Sequence, residues 1–287
     1  MPKKLTATSY QKAIISMVLA YISIALMGVF VKYASDELPS SEILFSRFLI
    51  GFIFLLPFMI RDGDFKVELS QWPFLVMRNL AGIASMLLTF YAIKYLPISI
   101  AVLLMNTSAL FVPLLLFVLR TRTPLKVLAC SFLGFAGVSI IMLTDSSKHF
   151  ELQHIGYALG AAFLAAMAFI SLQELNKHNS PKNIVFYFHL LGSLLLPLFF
   201  ATQWTIPSTQ GFVLLLLVGG FGLVFQLLLT RAFKYAPANV ITPFAFTGVI
   251  FSSICDWLFW HNVPTLNFWI GSLVIIVSVS LLAKIRR

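Results

Sequence analysis

The sequence predicts an all-α fold, a polytopic membrane bundle of ten transmembrane helices arranged as two five-helix inverted repeats. Three observations carry this reading. Hydrophobic residues make up 60% of the 287-residue chain and charged residues only 10%, against about 45–50% and about 25% in soluble domains. Apolar runs of membrane-spanning length recur from one end to the other, and a short motif repeats at a spacing of 140 residues.

The elements follow from the runs. A spanning helix takes about 20 residues, and stretches of that length lie at 13–31, 42–60, 72–91, 97–119, 125–143, 152–171, 182–201, 211–230, 236–258 and 267–284. None alternates with period 2 in segments of about ten residues, which excludes an outer-membrane barrel. The connectors are too short to hold a soluble domain with its own core. No small-residue cleavage site follows the first run, so that run is expected to remain as the first helix. Cys130 and Cys255 both fall within spans, where they read as apolar fillers, and neither a disulfide framework nor a metal site is expected.

The net charge of +10 sorts by membrane side. With the N-terminus inside, fifteen of the twenty Lys and Arg residues fall in cytoplasmic tails and connectors. Lys32, Lys94 and Lys148 lie outside, and Arg47 and Arg78 lie within spans. This asymmetry is the positive-inside pattern and requires an even number of crossings. No connector combines a basic surface with aromatics that could stack bases, so nucleic-acid binding is excluded. The partners implied are the lipid bilayer and a small-molecule cargo, with no cofactor.

The repeat appears where Tyr91, Ala92, Ile93, Lys94, Tyr95, Leu96 and Pro97 recur as Arg231, Ala232, Phe233, Lys234, Tyr235, Ala236 and Pro237. The same offset places Ser40 on Ser180, Pro57 on Pro197, Gly82 on Gly222 and Pro124 on Pro264. Residues 1–145 and 146–287 therefore form two units of five helices each. Because five is odd, the second unit enters the bilayer from the opposite face, and a binding site is expected where the units meet.

Several segments carry a resemblance to a known family: Ser41, Glu42, Ile43, Leu44, Phe45, Ser46, Arg47 and Phe48; then Arg78, Asn79, Leu80, Ala81 and Gly82; then Phe90 and the Tyr91 to Pro97 motif; and Ser108, Ala109, Leu110, Phe111, Val112 and Pro113. Both halves resemble the EamA family of the drug/metabolite transporter superfamily. The resemblance implies a ten-helix carrier of small metabolites whose cavity is lined mainly by helices one, three, four, six, eight and nine, with helices two and seven at the periphery. The chain departs from the family pattern where many members carry a Glu shortly after helices four and nine; here the segments read Leu119, Arg120, Thr121, Arg122, Thr123, Pro124 and Trp260, His261, Asn262, Val263, Pro264. Residues 78–97 also resemble the subgroup that moves S-adenosylmethionine or amino-acid-derived metallophores.

Candidate cargo contacts come from polar residues deep in spans. Arg78, Gly82, Ser85 and Thr89 fall at i, i+4, i+7 and i+11, which aligns a cation, a small residue and two hydroxyls on one helical face. An Arg at that depth costs at least about 2.5–3.5 kcal/mol unless it meets water or a partner, and a guanidinium fork suits a carboxylate. The competing reading is a structural Arg tied to backbone carbonyls. Asn106, Gln226, Tyr21 and Thr247 complete the substrate-binding candidates, since polar groups at mid-bilayer need partners. Arg47 reads instead as a fold-stabilising hydrogen bond to a neighbouring helix. Pro113 and Pro243 are expected to kink spans four and nine, and Gly156 and Gly160 to let another helix approach span six closely.

No Asp or Glu lies near the middle of a span, and His189 has no His-x-x-x-His partner. Intramembrane hydrolysis would need a nucleophile with its base, paired carboxylates or a metal cluster, and a channel would need a charged or carbonyl-lined filter. The reading is an inner-membrane exporter or exchanger of a small polar or zwitterionic metabolite, with amino acids leading and a larger zwitterion such as S-adenosylmethionine or a metallophore second. The charge asymmetry makes a topological prediction. Reporter fusions at residues 148 and 287 should report opposite sides of the membrane, and agreement between them would refute five crossings in the second half and with it the ten-span layout.

Overall fold

A computed structural model describes residues 7–118, 125–144, 151–236, 241, 244–245 and 247–285. The described chain is helical, with no strand. The helices are α1 (Ala7–Ala34), α2 (Ser40–Asp62), α3 (Trp72–Tyr95), α4 (Ile98–Asn106), α5 (Ser108–Val118), α6 (Leu125–Thr144), α7 (Leu152–His178), α8 (Pro181–Phe200), α9 (Thr209–Tyr235), α10 (Thr247–Trp260) and α11 (Leu266–Ile285). By length and composition, six stretches can cross a bilayer: Ser9–Ala34, Ser40–Asp62, Leu69–Tyr95, Leu152–His178, Pro181–Gln203 and Thr209–Tyr235. Ile98–Val112, Thr247–Trp260 and Leu266–Ser278 are shorter apolar helices.

Span four is not one kinked helix. It breaks at Thr107, well before Pro113, because the Thr107 hydroxyl donates to the Leu104 carbonyl at 2.6 Å and diverts an acceptor from the helical ladder. Pro243, Pro237 and the segment 119–124 lie outside the described residues.

Lipid tails are as apolar as leucine, so association of the helices depends on close packing and interhelical hydrogen bonds rather than on hydrophobic burial. The principal pairs are α1 with α9, α3 with α7, α6 with α11, α2 with α8, α2 with α9, α1 with α10 and α4 with α10. Every residue of α4 is buried. Between α3 and α7, close approach is supplied by alanines: Ala161, Ala162, Ala165 and Ala166 are buried, and Ser85 Oγ donates to the Ala161 carbonyl at 2.8 Å. The Gly156 and Gly160 face does not serve this role. Gly156 has open space where a Cβ would stand, and Gly160 meets only the tip of Leu88. Between α2 and α8 glycines do serve, since Gly51 receives the His189 ring and Gly192 receives the Phe48 ring, at distances that leave no room for a Cβ.

Hydrogen bonds close both ends of the bundle. At one end Asp256 of α10, 1% exposed, accepts the Ile98 and Ser99 amides at 3.0 and 2.7 Å, capping α4. Lys32 Nζ donates to the Leu96 carbonyl beside it at 2.8 Å, and Glu37 accepts from the Ser208 amide. At the other end Lys182 pairs with Asp62, Ser180 donates to Asp64, and Lys234 donates to the Asn179 carbonyl at 3.1 Å. Removing Asp256 strands two buried amides, each costing about 1–3 kcal/mol. Asp256→Ala should therefore lower the thermal unfolding midpoint of the purified protein by several degrees, whereas Asp256→Asn, which keeps one acceptor, should lower it less.

Candidate functional site

The feature that draws polar side chains together is a small enclosed cavity at the centre of the bundle. Its wall comprises Tyr21 of α1, Arg78, Gly82, Ser85 and Met86 of α3, Met105 of α4, Ala165, Ala168 and Phe169 of α7, Phe188 of α8, and Phe225, Gln226 and Leu229 of α9. At about 40 Å³ it has room for about three waters. Sites that hold small metabolites run to about 300–1,000 Å³, so the space bounded by these residues is smaller than a metabolite site.

Arg78 is 3% exposed and folds back along its own helix. The bare face of Gly82 seats its guanidinium, for a Cβ there would stand 2.2 Å from Nη1. The guanidinium carbon lies 4.2 Å from the centroid of Phe188, a cation–π contact, and Nε is buried with no hydrogen-bond partner. Among the described residues Arg78 meets no carboxylate, because the ion pairs are Arg61 with Asp62, Lys182 with Asp62, Lys177 with Glu174 and His154 with Glu151. Arg78 makes no hydrogen bond to a backbone carbonyl among the described residues, and Phe188 and Gly82 are what hold it.

Gln226 reaches the wall from α9 and is fixed from behind. Arg47 Nη2 donates to its Oε1 and to the Gly222 carbonyl, both at 3.4 Å. The bond from Arg47 to a neighbouring helix is thus made at mid-helix, over a glycine whose Cβ would collide with Arg47 Nε at 2.6 Å. The Tyr21 ring packs edge-on against Phe225 at 6.0 Å. Ser85 is engaged as a donor but keeps acceptor capacity toward the cavity.

Of the seven candidates, Tyr21, Arg78, Ser85 and Gln226 share the cavity wall, and three stand outside it. Thr89 donates to the Ser85 carbonyl at 2.8 Å, Asn106 Nδ2 donates to the Ala245 carbonyl at 3.1 Å, and Thr247 donates to the Phe244 carbonyl at 2.7 Å. Helix seven is not peripheral. Because Gly51 and Gly192 bring α2 and α8 together, Phe188 reaches the cavity and stands edge-on to Phe48 at 5.0 Å, with His189 fully buried beside them. Helix nine supplies no wall residue among those described. The aromatic and methionine part of the wall was not singled out in the sequence, where such residues are abundant; the usable signal was that Phe48 and Phe188 are themselves 140 residues apart.

Comparison with known proteins bears on this geometry. The profile of the EamA-like transporter family matches residues 11–143 and again 153–284. The pseudopaline exporter CntI of Pseudomonas aeruginosa is 30% identical over 96% of this chain and 98% of its own. A riboflavin transporter of Brucella anthropi is 29% identical over 91% and 94%, and an S-adenosylmethionine uptake transporter of Rickettsia prowazekii is 26% identical over 93% and 91%. A solved structure titled "Crystal structure of protein" shares the fold at a TM-score of 0.70 and 15% identity, covering 98% of each chain.

The seat at Gly82 can be tested. Gly82→Ala favours the helix by about 1 kcal/mol but expels the guanidinium, so folded yield should hold while cargo affinity falls on the order of tenfold, the worth of one charge-assisted hydrogen bond. Unchanged affinity would show that the position of Arg78 is irrelevant to cargo.

Proposed function

The chain belongs to the EamA-like transporter family, and from that premise we propose that it carries a small polar or zwitterionic metabolite, amino-acid-like in character, across the bacterial inner membrane by alternating access, as an exporter or exchanger. The single observation that carries this reading is the central cavity where Arg78, Ser85, Tyr21 and Gln226 converge from three helices. Arg78 receives a carboxylate, Gln226 and Tyr21 offer further hydrogen bonds, and Thr89, Asn106 and Thr247 brace the wall.

The ten-crossing, two-repeat layout with both termini cytoplasmic is part of the same proposal. Two matches of one family profile in tandem support it. So does the helix pairing. If α1, α2, α3 and α6 correspond to α7, α8, α9 and α11, and α5 to α10, a two-fold axis exchanges the α1–α9 pair with the α3–α7 pair and the α1–α10 pair with the α5–α7 pair, and maps α2–α8 and α6–α11 onto themselves. These are the pairs that pack together. The hydrogen bonds at the two ends then act as outer and inner gates, with the Lys32 end outside.

A second reading, a carrier of S-adenosylmethionine or a metallophore, is favoured by near full-length similarity to proteins named for such cargo.

Counterflow in proteoliposomes tests the carrier reading, since a carrier exchanges labelled for unlabelled cargo across the membrane whereas neither an open pore nor an enzyme shows counterflow. Arg78→Lys keeps the charge but loses the bidentate fork; transport should fall roughly 10- to 100-fold, matching about 1.5–3 kcal/mol for a charged hydrogen bond, with folded yield nearly intact. Collapse of expression in both Arg78→Lys and Arg78→Gln would instead assign Arg78 to the fold.

A further inference from the structure

The charge of the cavity wall goes further than the identity of its lining. Arg47 and Arg78 both stand over one ring, their guanidinium carbons 6.0 and 4.2 Å from the Phe188 centroid. Arg47 is 0% exposed, and its Nε and Nη1, like Arg78 Nε, are buried without a hydrogen-bond partner. The hydrogen bonds that Arg47 does make go to neutral oxygens, the Gly222 carbonyl and the Gln226 amide. Dipoles and π faces lower the cost of a buried cation but leave its charge in place.

No described carboxylate is available to cancel it. The buried acids are committed elsewhere, Glu42 to the Thr205 amide and Asp256 to the cap of α4. The remaining titratable neighbour, His189, sits against Phe48 and Phe188 and contributes no negative charge in either protonation state. The two cations are held in pseudo-equivalent seats, since Gly222 receives Arg47 and Gly82 receives Arg78 at the 140-residue offset. Arg78 lines the cavity and Arg47 stands behind its Gln226, so a neutral zwitterion there would leave two positive charges uncompensated and a cationic cargo would add a third.

Resting on the carrier reading above, we propose that the cargo is a net anion, an amino-acid-like compound with more carboxylates than ammonium groups. One carboxylate takes the Arg78 fork, and the surplus negative charge is balanced by Arg47 behind Gln226. An ammonium group of the same molecule is accommodated at the Tyr21 and Phe225 rings on the opposite wall, which carry no cation.

The test is thermal stabilisation of the purified full-length protein in a dilute HEPES buffer free of chloride and of carboxylates, with probes at equal concentration. The probes are L-glutamate and iminodiacetate as net anions, L-leucine as a neutral zwitterion, L-lysine and S-adenosylmethionine as net cations, and sodium chloride as an inorganic anion. The anionic amino acids should stabilise at concentrations about tenfold or more below L-leucine, the scale of one charge-assisted contact. Arg78→Gln should abolish that difference, and Arg47→Gln should reduce it. Should Arg47→Gln fail to fold, the wild-type ranking decides alone. Preferential stabilisation by L-leucine, L-lysine or S-adenosylmethionine overturns the charge assignment and leaves the carrier reading standing. Equal stabilisation by chloride assigns the positive charge to an inorganic counter-ion and also overturns it. No response to any amino-acid-derived probe overturns the amino-acid-like cargo reading together with this one.

Discussion

A guanidinium buried in a bilayer without a carboxylate must be held by dipoles, by aromatic faces and by space made for it, and this protein arranges its centre around two such groups. Phe188 presents one ring to both arginines, Gln226 and the Gly222 carbonyl accept from Arg47, and two glycines leave the bare helix faces on which the side chains lie. Each requirement fixes a helix. Phe188 reaches the middle only because α8 lies tightly on α2, which in turn needs Gly51 and Gly192. Gln226 and Gly222 bring α9 against α2 as well as against α1. The charges at the centre and the packing of the bundle are therefore one problem with one solution.

The small size of the cavity follows from the same economy, since Arg78 lies against Phe188 and Gly82 and apolar side chains from α7 and α9 fill the remaining space. Admitting a metabolite requires an increase in volume of roughly an order of magnitude, more than side-chain rotation supplies. Whole helices must part at one end. The bonds that would have to release are few and identifiable: the Asp256 cap on α4 with the Lys32 bond at one end, and the contacts of Asp62, Asp64 and Lys234 at the other. The Asp62 and Lys182 contact lies near water and is cheap to exchange for hydration, the Asp256 cap is buried and costs more to release, and the alanine-lined α3–α7 contact is apolar and close. This contrast suits motion of intact helix pairs about fixed internal interfaces.

Much of the architecture was legible because membrane helices declare themselves by length and apolarity, and because a repeat leaves matched residues at a constant offset. Arg78 was legible at the site for a related reason: a charge deep in a span is costly enough that it must serve something. Tyr21, Ser85 and Gln226 followed from the same argument. Thr89, Asn106 and Thr247 stand outside the wall of this cavity with their donors given to a carbonyl three or four residues back or on the next helix, while Asn106 Oδ1 is buried without a partner, and spacing along one chain does not tell which option is taken. The break in span four was placed at Pro113 from the missing amide, whereas Thr107 supplies a competing hydroxyl that acts earlier. The GxxxG pattern misled in the opposite sense, since small residues permit an approach without compelling one, and on α7 the partner helix chose the alanine face.

Arg47 shows most plainly what a single chain's pattern leaves open. Read alone, it is a structural residue, and its hydrogen bonds across to α9 fit that description. Yet a structural cation need not share an aromatic ring with a second cation at the wall of the cavity, and like charges placed together in a low-dielectric centre repel. On the proposal that the cargo is a net anion, a negative charge brought to the cavity wall lowers that repulsion, and a cargo gains most by supplying the charge that the described residues omit.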